Sequence, residues 1–289
     1  METHRFVLAF IYLISAVVFT PLLIRIFYVL LYKEYRNYEC YRIMAQQVCL
    51  HIICGVCYVF YGLGVVLDSK IWHLVEAAHF ICINTFSCIL LISFVLAINR
   101  LGLICNLQIP KLVILVMQGF TWFVFVALNV LIYSPLSEVT LGADRFSITF
   151  EKTRWFSRNY KTIRFYICTI LVFASLAIYM AIVAYVLYRK VLFRSTSISK
   201  AEANIGIAAG LTFIFNFLNN IIHMFLYKYT IRSPFSKHAY ALTQMAIILY
   251  VPAVVYLTFN RKLRHQVCFY KERAINTVHG ITILVGSSK

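Results

Sequence analysis

Long apolar runs, each cut off by a short charged segment, dominate this chain. About 20 such residues are what a helix needs to cross a hydrocarbon core of roughly 30 Å, and a backbone in that medium must satisfy its own polar groups. Seven runs can be traced, at about 6–32, 43–67, 72–104, 111–133, 163–188, 205–227 and 239–259. Of the 289 residues, 62% are hydrophobic and only 13% charged, too little polar surface to cover a soluble globule of that size. The fold class expected is all-α integral membrane, a seven-transmembrane helix bundle.

The breaks between runs carry ordinary stop signals. Lys33, Arg36 and Arg42 separate the first two; Pro110 introduces the fourth, and Ser134 and Pro135 follow it. A longer polar segment, Ser134 to Thr162, precedes the fifth run, and "RKVLFRSTSISKAEAN" separates the fifth from the sixth. The first run is too long for a cleaved signal peptide and lacks an obvious small-x-small cleavage site, so a retained signal anchor is expected. No internal repeat is evident. Residues 1–289 are therefore read as a single domain, with no soluble domain of any size at either end.

Lys and Arg set orientation. The first turn, the third-to-fourth turn, the fifth-to-sixth linker and the tail together hold more of them than the opposite segments do. This bias predicts an outside amino terminus and a cytosolic carboxyl terminus in the plasma membrane. The net charge of +17 then reads as attraction to anionic membrane lipids, and basic residues on both sides argue against a nucleic-acid groove.

Polar residues inside the runs are the candidate site. Asn216, Asn219, Asn220 and His223 recur at i, i+3, i+4 and i+7, a single stripe that hydrocarbon would force into the bundle. Glu76 and His79 lie near the outer end of the third run, and Asn129 and Gln244 fall at similar depth. A ligand cavity between the third, sixth and seventh helices would use them; hydrogen bonding that only glues the helices is the alternative. An intramembrane carboxylate such as Glu76 is costly and usually marks a site. Arg100, at the cytosolic end of the third run, is expected to reach the headgroups or a water-filled vestibule. Arg25 and His51 read as structural, His51 as a satisfied packing residue. Among the residues no metal-ligand spacing, phosphate loop or nucleophile triad stands out, so neither an enzyme nor a cofactor is expected.

Two further segments have patterns. After the last run, at about 260–272, Leu263, Val267 and Tyr270 share a helical face beside Arg261, Lys262 and Arg264, predicting an interfacial helix. Cys268 within it is either a palmitoylation candidate or a reduced thiol. In "RFSITF", Phe146, Ile148 and Phe150 alternate with polar residues, which fits a short strand or hairpin over the mouth of a cavity, or a surface loop.

The Asn99–Arg100 pair ending the third run, the phrases "YRIMAQQ" and "FVLAINRLGLIC", and the seventh-run ending "VPAVVYLTFNRKLR" resemble rhodopsin-like G-protein-coupled receptors. More narrowly, they are similar to the class T branch of the nematode serpentine chemoreceptors, over about Tyr41 to Arg264. The resemblance implies a small odorant-like ligand, coupling to a heterotrimeric G protein, receptor homo- or hetero-oligomers as partners, and a place in sensory cilia. Arg100 would stand for the arginine of the Asp-Arg-Tyr motif, here flanked by Asn99 and Leu101. Tyr256 would stand for the tyrosine of Asn-Pro-x-x-Tyr, with Pro252 one residue early. The family's outer disulfide has no counterpart, because no cysteine lies between Ser134 and Thr162, and the sixth run lacks Cys-Trp-x-Pro. The competing reading is an inverted seven-span ligand-gated channel or small transporter whose polar stripe lines a permeation path.

Overall fold

The computed structural model describes residues 2–32, 35, 37–67, 72–137, 139–141, 148–150, 154–193, 200–222 and 234–268. In chain order these form α1 (Glu2–Leu30), α2 (Glu39–Leu67), α3 (Trp72–Ile104), α4 (Lys111–Ile132), β1 (Val139–Leu141), β2 (Ile148–Phe150), α5 (Trp155–Phe193), α6 (Lys200–Ile221), α7 (Pro234–Phe259) and α8 (Arg261–Cys268). Six of the helices, α1 to α5 and α7, are long and apolar enough to cross a membrane. The described chain is thus a mainly helical, membrane-embedded protein. The apolar part of α6 runs only from Ile207 to Ile221. At 1.5 Å per residue that is roughly 22 Å, short of a full hydrocarbon core. Residues 223–227 of the run expected at 205–227 lie outside the described residues.

Five helices start earlier than the apolar pattern predicts, α1 at Glu2, α6 at Lys200, and α2, α5 and α7, for which a local cause can be given. α2 begins at Glu39, an acid in the first turn where the helix dipole favours it. α7 begins at Pro234, a residue suited to a first helical turn because its missing N–H has no partner there anyway. α5 begins at Trp155, well before Ile163, and so takes up part of the polar segment expected at 134–162. The cause is local packing: Phe156 and Tyr160 bury themselves with Phe80 of α3 and Ile132 of α4, while Arg158 stays outside. Charged neighbours hid that apolar face.

The helices pack in a ring. α1 lies against α2 and α7, α2 against α3 and α7, and α6 between α5 and α7. α3 is the central member, touching α2, α4, α5 and α6. Small residues let α1 and α2 approach closely: a Cβ on Gly62 would stand 3.0 Å from the Ala9 carbonyl oxygen, which backbone cannot yield. Gly64 does the same for α2 and α3 by receiving Val75. α4 sits on the rim, burying Ile114, Gln118 and Thr121 at i, i+4 and i+7 and turning Leu112, Leu115, Phe123 and Val130 outward.

Beyond the bundle, β1 and β2 form an antiparallel hairpin with Val139 opposite Phe150 and Leu141 opposite Ile148. The alternation in this segment therefore reports a strand; Phe146 lies outside the described residues. α8 follows α7 almost directly and rests on α1 and α7. Asn260 caps it, its Oδ1 accepting the Leu263 N–H at 3.0 Å, and Leu263 is fully buried. The tail predicted to 272 is helical to Cys268; Tyr270 lies outside the described residues.

Candidate functional site

Polar side chains gather at three depths. At the C-terminal end of α3, Asn99 and Arg100 meet the first turn of α2. Asn99 donates through Nδ2 to Glu39 Oε2 at 2.9 Å, and Arg100 donates through Nη2 to the thiol of Cys40. Arg100 is 3% exposed and its Nε has no hydrogen-bond partner. The arginine therefore does not snorkel to the headgroups as expected: α2 starts early enough to roof it over. Glu39 is also 4.0 Å from Arg42, a long, partly solvated pair. Tyr179 of α5 and Tyr256 of α7 both lie within electrostatic range of Arg100.

In the middle of the bundle, Gln47 of α2 ties three helices together. Its Nε2 donates to Ser93 Oγ of α3 at 3.1 Å, and its Oε1 accepts from the Tyr256 hydroxyl at 3.3 Å. Neighbouring Gln46 bonds Gln118 of α4 at 2.5 Å and accepts from the Trp122 indole at 3.2 Å. His51, one turn further along α2, is 1% exposed and packed, with neither ring nitrogen in a hydrogen bond of good geometry. It lies toward the carbonyl of Ile248 on α7, the oxygen that Pro252, lacking an N–H, leaves without a helical partner.

Toward the N-terminal end of α3, Asn84 is wholly buried. Its Nδ2 donates to Asn129 Oδ1 of α4 at 3.1 Å, and its Oδ1 accepts from the Tyr160 hydroxyl of α5 at 2.5 Å. Arg164 Nε donates to Ser87 Oγ at 3.0 Å one turn below. Asn129 thus acts as helix-to-helix glue. His79 stacks obliquely on Tyr61 of α2 at 5.5 Å, in line with Tyr12 and Tyr58. It is therefore turned to the α1–α2 side, not to a cavity shared with α6 and α7. Glu76 is one turn away and within electrostatic range of Tyr133, beyond α4. Gln244 of α7 bonds Tyr240 on its own helix.

The α6 stripe does turn inward. Asn216, Asn219 and Asn220 are 3%, 0% and 4% exposed. Asn220 donates back to the Asn216 carbonyl at 2.9 Å, but Asn216 Nδ2 and both polar atoms of Asn219 have no partner. His223 lies outside the described residues, as does the side chain of Cys268. Among the described residues no cluster of three potential metal ligands occurs, and eight cysteines are free thiols.

Pattern reading missed Glu39, Cys40, Gln47, Asn84 and Tyr160. Asn84 had a usable signal, a lone amide deep in an apolar run. Glu39 and Cys40 had none, since their importance comes from a neighbour sixty residues away. Comparison with family models and with curated proteins finds no match to this chain.

Proposed function

We propose that the chain is a seven-span, serpentine-type receptor in the plasma membrane that binds a small ligand and signals to a heterotrimeric G protein. In this reading the apolar run at 205–227 is the seventh span, the amino terminus is outside and α8 lies on the cytosolic face. The observation that carries it is the α6 stripe. An amide buried without a partner costs about 1–3 kcal/mol, and Asn219 leaves both of its polar atoms in that state. A ligand that supplies those hydrogen bonds would bind one helical arrangement better than another and shift the population toward it. α6 joins α5 and α7 and touches α3, the helix that carries Arg100 at its end.

With His79 turned to Tyr61, the proposed pocket is centred on Asn216 and Asn219, with Gln244 and Glu76 as further candidate contacts. The test is Asn219→Leu against Glu76→Gln at matched surface expression. Loss of ligand response in the first alone supports the pocket. Unchanged response in the first removes it, and ionic current without any G protein would move the assignment to a ligand-gated channel.

A further inference from the structure

We propose that the first turn of α2 is a clasp that holds the inner end of α3 in its resting position, with the Cys40 thiol as the acceptor for Arg100. Three observations converge. Arg100 is buried at 3% exposure, yet it makes no ion pair with a carboxylate among the described residues, and it donates to the Cys40 sulfur instead. The adjacent carboxylate, Glu39, is engaged by Asn99 at 2.9 Å instead. Consecutive residues of α3 are thus bound by consecutive residues of α2. A guanidinium held by a neutral thiol is weakly held, since charge-assisted bonds to carboxylates are the strong ones. Its Nε is left without a hydrogen-bond partner. The contact is therefore strong enough to set a resting position and weak enough to be given up.

The signalling role of the clasp rests on the receptor reading above; the contact itself does not. The experiment combines Cys40→Ala, Cys40→Ser and Cys40→Asp, each alone and with Arg100→Met, in the full-length chain. Two readouts are taken: Tm in detergent, and basal GTPγS uptake by a co-expressed chimeric Gα subunit. Cys40→Asp should raise Tm and depress basal uptake, because it puts a carboxylate where the guanidinium points. Cys40→Ala should raise basal uptake several-fold, and Cys40→Ser, which keeps an acceptor, should restore the parent level. In the Arg100→Met background the gain in Tm from Cys40→Asp should reverse to a loss, since a lone buried carboxylate then remains. Additive effects across the cycle overturn the contact. Parent-chain signalling that no Cys40 variant alters overturns the clasp. Coupling in Tm with no uptake from any chain, the parent included, overturns the receptor reading while the contact stands.

Discussion

Asn84 and Asn219 are chemically identical and equally buried, yet they stand at opposite ends of what a membrane interior does with an amide. Asn84 has found Asn129 and Tyr160, so it pins α3 to α4 and α5. Asn84→Leu should cost about 1–2 kcal/mol, the range of interhelical hydrogen bonds in membranes, read as a lower Tm in detergent. Asn219 has no partner, so Asn219→Leu should act in the other direction. It removes an uncompensated desolvation of about 1–3 kcal/mol and should raise Tm while ligand response disappears. The opposed signs separate glue from site: a lower Tm for both variants would make the α6 stripe structural. From sequence the two asparagines look alike, because the difference lies in what the facing helices supply.

Helices meet at the spacing their smallest residues permit. Gly62 on α2 faces the Ala9 carbonyl oxygen and the Leu13 N–H, so Gly62→Ile has to push α1 and α2 apart. That overpacking should cost about 1–3 kcal/mol, seen as lost surface expression and a reduced Tm. Gly119 on α4 provides the contrast, since nothing lies within 4 Å of its added Cβ. Gly119→Ala should be neutral or stabilise by about 0.5–1 kcal/mol through helix propensity. Element existence was readable from apolar length, as were the starts of α3 at Trp72 and α4 at Lys111, but several other starts were not. The starts of α2, α5 and α7 depend on Glu39, Phe156, Tyr160 and Pro234, residues that enter a helix through capping or burial instead of through a long apolar run.

For the molecule as a whole, orientation decides which end of the bundle is the mouth. The excess of Lys and Arg in one set of connecting segments predicts an outside amino terminus. Epitope tags before Met1 and after Lys289 should therefore stain without permeabilisation at the first position and only after it at the second. The reverse pattern would place Arg100 and α8 outside the cell and exclude coupling to a cytosolic G protein. The basic α8, with Leu263 anchored in the core and Arg264 donating to the carbonyls of Leu257 and Thr258, would then face the wrong leaflet.

The sequence by itself determined the membrane class, the approximate place of each apolar helix and the inward turn of the α6 asparagines; it left the segment at Ile148–Phe150 open between a strand and a loop. The determined features follow from local composition and periodicity, which a chain carries wherever it goes. Only the tertiary structure decided that Arg100 is buried beneath the first turn of α2, that His79 faces Tyr61, and that Asn84 is satisfied while Asn219 is not. Those outcomes depend on which helix lies opposite and at what rotation. Helix pairing sets them through contacts between residues tens of positions apart, such as Asn99 with Glu39 and Tyr256 with Gln47, and no local pattern encodes such pairs.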